Sequence, residues 1–284
     1  MSNVQKQELT LFSDHSVLAG SLFEKDEHHV ILVTHKLGTS PSWLMNALVE
    51  TKVFGAPLTL NESHNSAMNR ARTKTASLET RRIDNRIKRA VTVASWVHSG
   101  EFYHSAFGKL KIDPSNYIIK DYLTDFVLKH HGKPASRVLK SLVQELTSTQ
   151  SHSDLILLEQ PELLMHLLNI SSDELHLDFI NPLARAVPLL IIISFTESYD
   201  NPGTETSEQV PCDAVEQIRF QTGCVFKSIA VLGIKPLATG RAKDITGILT
   251  ISRGGATTSH LPVDVAENEY LFHTQKDTTK LFYR

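Results

Sequence analysis

Apolar positions along the chain alternate between two spacings. Short unbroken runs occupy residues 30–34, 91–94, 117–119, 155–158 and 189–195. Runs of this length, rich in Val, Ile and Leu, predict buried strands. The run 189–195 is apolar everywhere but Ser194, so it needs cover on both faces, which predicts the centre of a parallel sheet. Between the runs lie segments of helical spacing. Ser40 and Pro41 predict a helix start: Ser40 can accept from early backbone N–H groups, and Pro41 has no N–H to leave unpaired. Leu44, Ala47, Leu48 and Thr51 then share one helical face. From Pro134 a further helix carries Val138, Leu139, Leu142, Val143 and Leu146 on one side. Pro161 opens a short one with Leu163, Leu164, Leu167 and Leu168. Ser171 with Glu174 fits a capping box for another, running to about Arg185.

The last third changes character. Residues 228–234, 245–252 and 269–273 are strand-like, joined by Gly and polar turns without long helices between them. That predicts antiparallel strands added to a parallel core. The expected fold class is α/β, with a mainly parallel central sheet flanked by helices and a C-terminal antiparallel extension. The expected organisation is a single domain over residues 1–284, interrupted by loop insertions at about 61–90 and about 196–211.

Charge sharpens the first insertion. The chain has 29 Lys and Arg against 31 Asp and Glu, a net charge of −2, so it is no polyanion binder in bulk. Within 61–90, however, Arg70, Arg72, Lys74, Arg81, Arg82, Arg86, Lys88 and Arg89 face only Glu62, Glu79 and Asp84. These eight are candidates for contact with nucleic-acid phosphates. Aromatic residues for base stacking are missing until Trp96, which argues against single-strand base recognition. The 196–211 segment is acidic and rich in Thr, Ser, Pro and Asn. A hydrophobic fraction of 41% excludes wholesale disorder. The N-terminus has no apolar signal core, and the longest apolar run falls far short of the roughly 20 residues a membrane helix needs. A soluble protein with no membrane contact is expected, in the cytoplasm with the nucleus as a second address.

Several chemistries fail on spacing. Cys212 and Cys224 make neither a disulfide scaffold nor a zinc knuckle, and the histidines show no HExxH pattern, so no metal is expected. The first strand leads into Thr34-His35-Lys36-Leu37-Gly38-Thr39-Ser40-Pro41-Ser42, where a nucleotide-binding fold carries its phosphate loop. Such a loop needs several glycines, then Lys and Ser/Thr at the helix start. Here one glycine remains, the Lys precedes it, and Pro41 removes a donor, which predicts an ordinary strand-to-helix turn. Glu159 ends the 155–158 run where a magnesium-binding carboxylate would stand; without a phosphate loop it is expected to be a solvated strand end. The competing expectation is an independent nucleotide-hydrolysing enzyme using Lys36, Ser42 and Glu159. Residues 237–255 read as a β-hairpin with Arg241, Lys243 and Arg253 as candidates for a neighbour's nucleotide site. Together these features describe a RecA-like core without its own phosphate loop.

Longer stretches carry a resemblance. They are Leu9-Thr10-Leu11-Phe12-Ser13-Asp14-His15-Ser16-Val17-Leu18, Asn46-Ala47-Leu48-Val49-Glu50, and Leu158-Glu159-Gln160-Pro161-Glu162-Leu163-Leu164. The hairpin at 235–255 and the tail, with Glu267-Asn268-Glu269-Tyr270-Leu271 and Thr279-Lys280-Leu281-Phe282-Tyr283-Arg284, belong with them. All resemble the sixth-subunit family of the fungal Elongator complex. The resemblance covers the chain end to end apart from about 64–90 and 196–211, so nothing is inherited for those two segments. It implies a RecA-like protein without usable Walker motifs and without catalytic residues of its own. Such proteins join the fourth and fifth Elongator subunits in a heterohexameric ring that binds tRNA and whose ATPase activity modulates tRNA release. The wobble-uridine chemistry of the complex belongs to its catalytic subcomplex. No cofactor is expected on this chain alone, with ATP at ring interfaces.

Overall fold

The structure is a computed structural model that describes residues 6–24, 27–61, 89–148, 153–196, 212–240, 242–275 and 278–283. Each expected apolar run forms a strand, and all join one sheet. β1 (His29–His35), β2 (Arg89–Ser95), β3 (Tyr117–Asp121), β4 (Ser153–Glu159), β5 (Leu189–Phe195) and β6 (Ala230–Lys235) are parallel. β7 (Gly247–Arg253), β8 (Asn268–Thr274) and β9 (Thr279–Tyr283) continue the sheet antiparallel. The spatial order is β3-β2-β4-β5-β1-β6-β7-β8-β9. This is the α/β, RecA-like arrangement that the pattern predicts.

The helices are α1 (Ser42–Phe54), α2 (Gly100–Lys109), α3 (Phe126–His130), α4 (Ala135–Thr147), α5 (Leu163–Leu168), α6 (Ser172–Leu175), α7 (Asn181–Ala186) and α8 (Cys212–Lys227). They cover both faces of the sheet. Because successive strand residues point to opposite sides, one face presents Ile31, Val33, Leu157 and Ile191 to Leu44 and Leu48 of α1 and to Phe107 of α2. The other presents Leu32, Ile156, Leu158 and Ile192 to Leu139 and Leu142 of α4 and to Phe220 of α8. Residues 155–158 and 189–193 are fully buried, as strands covered on both faces must be. Each such side chain contributes about 1.5–3 kcal/mol.

Some details differ from expectation. α2, α3, α8 and β9 are additional elements. The helix expected from Ser171 to about Arg185 forms its capping box and reaches Ala186, but as α6, a π turn over His176–Ile180, and α7. Pro182 explains the break: it lacks an N–H and its ring crowds the preceding turn, so Asn181 donates back to the His176 carbonyl instead. The hairpin also begins earlier than 237. Its strands are β6 and β7, and residues 236–246 connect them. Of the two insertions, residues 62–88 and 197–211 lie outside the described residues; Arg89 and Ala90 already belong to β2. No helix among the described residues is long and apolar enough to cross a membrane.

Candidate functional site

Parallel strands bring their carboxyl ends to one edge of the sheet, where α/β proteins of this kind bind ligands. Here the edge is formed by His35, Ser95, Asp121, Glu159 and Phe195. The β1–α1 connection at this edge is bonded to itself. Thr39 donates its N–H and its hydroxyl to the Lys36 carbonyl, at 3.1 and 2.8 Å. Ser42 donates its N–H to Ser40 Oγ at 3.3 Å, and the two hydroxyls lie 2.9 Å apart. The N–H groups of Thr39 and Ser42 are thus turned inward rather than toward a phosphate, and Pro41 supplies none.

Glu159 is the main departure from expectation. It is not a solvated strand end but a carboxylate exposed by only 1%. Pairing of β2 with β4 sets Ser95 opposite Glu159. The Ser95 hydroxyl and the Tyr103 hydroxyl of α2 each donate to Glu159 Oε2 at 2.5 Å. His98 Nδ1 lies 3.0 Å from both carboxylate oxygens. Ser95 Oγ in turn accepts from the backbone N–H groups of Val97 and His98. Burial works to raise the Glu159 pKa, but the hydrogen bonds from His98, Ser95 and Tyr103 outweigh it and hold the carboxyl below its ordinary value. The same hydrogen bond raises the pKa of His98 against its partial burial. Burial first, and then the neighbouring carboxylate, push the Tyr103 phenol up, so it stays a donor. Both oxygens of Glu159 are therefore occupied by side chains of the same molecule.

Three residues on, Glu162 is also buried, and burial lifts its carboxyl to about 7. Its Oε1 accepts from the Phe195 N–H at 2.8 Å. Gln160 turns the chain in the left-handed region, at φ 51°, and donates its N–H to the Ile193 carbonyl. Thr196 donates to the His35 carbonyl, and Gln221 of α8 donates to the Phe195 carbonyl at 2.6 Å. The ends of β1, β4 and β5 are stitched together by these bonds, although His35 Nδ1, Glu162 Oε2 and Gln221 Oε1 are buried without a hydrogen-bond partner.

At the outer corner of the same edge the surface turns apolar. Asp121, ending edge strand β3, accepts from the N–H groups of Gly100, Leu123 and Thr124. Around this knot Phe102, Leu123, Val127 and Leu128 are exposed, Leu128 by 82%. The sequence pattern missed them because Leu123 lies in a connection, Val127 and Leu128 in a five-residue helix, and Phe102 in a helix that buries only two side chains.

The residues named from sequence fall in different places. Lys243 is exposed in the β6–β7 connection, on the carboxyl edge, because β6 runs parallel to β1. Arg253 ends β7 at the opposite edge, about 20 Å along a seven-residue strand. Its backbone N–H is held by Glu267. Arg241 lies outside the described residues, as do Arg70, Arg72, Lys74, Arg81, Arg82, Arg86 and Lys88; Arg89 opens β2 opposite Ser153. Lys36 and Ser42 flank the turn into α1, and neither is among the hydrogen-bond partners of Glu159 described above.

No family model matches the chain. It is similar to Elongator complex protein 6 of Saccharomyces cerevisiae (strain ATCC 204508 / S288c), with 36% identity over 292 aligned positions that cover the whole of both proteins.

Proposed function

The chain belongs to the Elongator complex protein 6 family, and from that premise we propose that this Elongator subunit is a non-catalytic member of a heterohexameric RecA-like ring. Its ring partners are the fourth and fifth Elongator subunits. The ring binds tRNA and supports wobble-uridine modification by the catalytic Elongator subcomplex, in the cytoplasm and the nucleus. ATP, where the ring uses it, sits at interfaces rather than on this chain alone.

The observation that carries the reading is the closed carboxyl edge. Glu159 already receives Ser95, His98 and Tyr103, and the β1–α1 turn bonds to itself. A protomer built this way supplies shape and surface and leaves the gripping of phosphate to its siblings. The apolar corner of Phe102, Leu123, Val127 and Leu128 suits a sibling's surface. Lys243 stands on the edge from which a neighbour's nucleotide is reached, Arg241 remains a candidate for the same role from the sequence alone, and Arg253 serves a different face. Arg70, Arg72, Lys74, Arg81, Arg82, Arg86, Lys88 and Arg89 meet the tRNA backbone as a salt-sensitive, sequence-independent contact.

Two measurements test this together. ATP turnover by the purified chain alone should be absent, and native mass spectrometry after co-expression with the fourth and fifth subunits should show the heterohexamer. Turnover by the lone chain that Glu159→Gln abolishes would instead establish the independent hydrolase built on Lys36, Ser42 and Glu159.

A further inference from the structure

The amino edge of the sheet, opposite the site just described, gathers a different set of groups. Glu27 leads into β1, His29 is the first residue of β1, and His260 lies in the β7–β8 connection. Glu27 Oε2 is 3.3 Å from His29 Nε2 and 3.4 Å from His260 Nε2. The three ligand atoms all lie within 4.8 Å of one another. The two imidazole planes are nearly parallel, 15° apart, with centroids separated by 6.0 Å.

His29 makes this more than a surface cluster. Its side chain is 2% exposed, and its Nε2 is buried without a hydrogen bond although it faces the Glu27 carboxylate. An unsatisfied buried nitrogen is destabilising by about 1–3 kcal/mol, so one aimed at two further donors needs an explanation. The backbone that aims it is fixed: the His29 N–H donates to the Pro188 carbonyl at 2.8 Å, and β1 is paired on both sides. His260 is carried by a turn closed by the Leu261 N–H on the Thr258 carbonyl. That connection is anchored at its start by Gly254 and Ala256, which donate to the carbonyls of Ile229 and Ser228.

The carboxylate-to-imidazole spacing matches a metal centre, and the two imidazole nitrogens lie within 4.8 Å of each other. Zinc takes imidazole nitrogen and carboxylate oxygen at about 2.0–2.2 Å, so ligand atoms at neighbouring corners of a tetrahedron are about 3.3–3.5 Å apart. The two separations from Glu27 Oε2 fall in that interval. We propose that Glu27, His29 and His260 form a binding site for a zinc-class divalent cation. Two imidazoles and one carboxylate are a borderline donor set that favours zinc over magnesium or calcium. Three protein ligands leave one position for water. The cation would tie the β7–β8 connection to the start of β1. Sequence spacing does not reveal this site, since more than 230 residues separate His29 from His260.

The test uses the tag-free full chain, stripped with chelator and desalted after adding zinc. Metal analysis should find one zinc per chain, and cobalt in its place should give the intense visible absorption of tetrahedral coordination. Competition against a chromophoric chelator then compares the wild type with Glu27→Gln and His260→Ala. Both residues are partly solvent-exposed, so these variants keep the fold, which far-UV circular dichroism verifies. Loss of at least about tenfold in zinc affinity in both variants is expected. Failure to retain zinc overturns the proposal and leaves only an ion pair. So does a smaller loss in either variant, which would mean that zinc sits on other histidines.

Discussion

Glu159 and Glu162 stand three residues apart and face opposite electrostatic conditions. Glu159 is buried but surrounded by donors, so it stays ionised. Glu162 is buried with the Phe195 N–H on one oxygen, while its Oε2 has no hydrogen bond, and its pKa climbs to about 7. That is above the 4.5 of an unperturbed Glu. Between about 4.5 and about 7 the folded chain therefore binds more protons than the unfolded chain, and stability falls as pH rises through that window. Glu162→Gln keeps an acceptor for Phe195 and removes the charge. The variant should gain about 2–3 kcal/mol over the wild type on moving from about pH 5 to about pH 8. Urea denaturation at the two pH values checks this. Glu50, also lifted to about 7 by burial, is present in both proteins and cancels from the comparison. A difference between variant and wild type that does not change with pH would refute the assignment. The sequence shows where Glu159 stands, at the end of an apolar run, but not what meets it. Its partners Ser95 and Tyr103 are 64 and 56 residues away, and only strand pairing and α2 packing bring them in.

At the scale of elements, legibility follows the number of buried positions. β4 and β5 are apolar nearly throughout and are read from sequence without difficulty. α2 buries only Tyr103 and Phe107, with glycines near both ends, so its helical face carries little signal. β9 buries Thr279 and Leu281 and takes its place from pairing with β8 and from bridges to Lys6 and Leu60. α8 carries Gly223 in its interior, a poor helix former whose presence is explained by packing. A Cβ there would run into the ring of His176, which lies stacked on Phe220 with Nε2 3.0 Å from the Phe220 carbonyl. Helix propensity alone would make Gly223→Ala stabilising by about 1 kcal/mol. The collision with a buried ring opposes this by about 1–3 kcal/mol. Because His176 is wedged between α8 and the π turn it cannot swing clear, and overpacking should win. The variant should unfold at lower urea concentration than the wild type. A rise in the midpoint would show that the ring relocates freely.

At the scale of the whole molecule, helices close both faces of the parallel part of the sheet, which leaves its edge as a place for contact with other chains. β3 ends the sheet, and the corner beside it exposes Phe102, Leu123, Val127 and Leu128. Exposure of one leucine is ordinary, but four apolar side chains around the single polar knot of Asp121 form a patch. In the proposed ring this patch is covered by a sibling subunit. Leu123 and Leu128 contribute little to the chain's own core, since they are 51% and 82% exposed. Changing both to Asp should therefore leave the thermal midpoint of the isolated chain within about 2 °C, as surface substitutions usually do. Within an assembled ring the same change buries two carboxylates against apolar surface, a cost of several kcal/mol. Recovery of the fourth and fifth subunits with this chain after co-expression should then fall by more than tenfold, a free-energy loss of about 1.4 kcal/mol or more. Full recovery of the ring with the doubly substituted chain would move the interface away from this corner and leave the patch without its proposed partner.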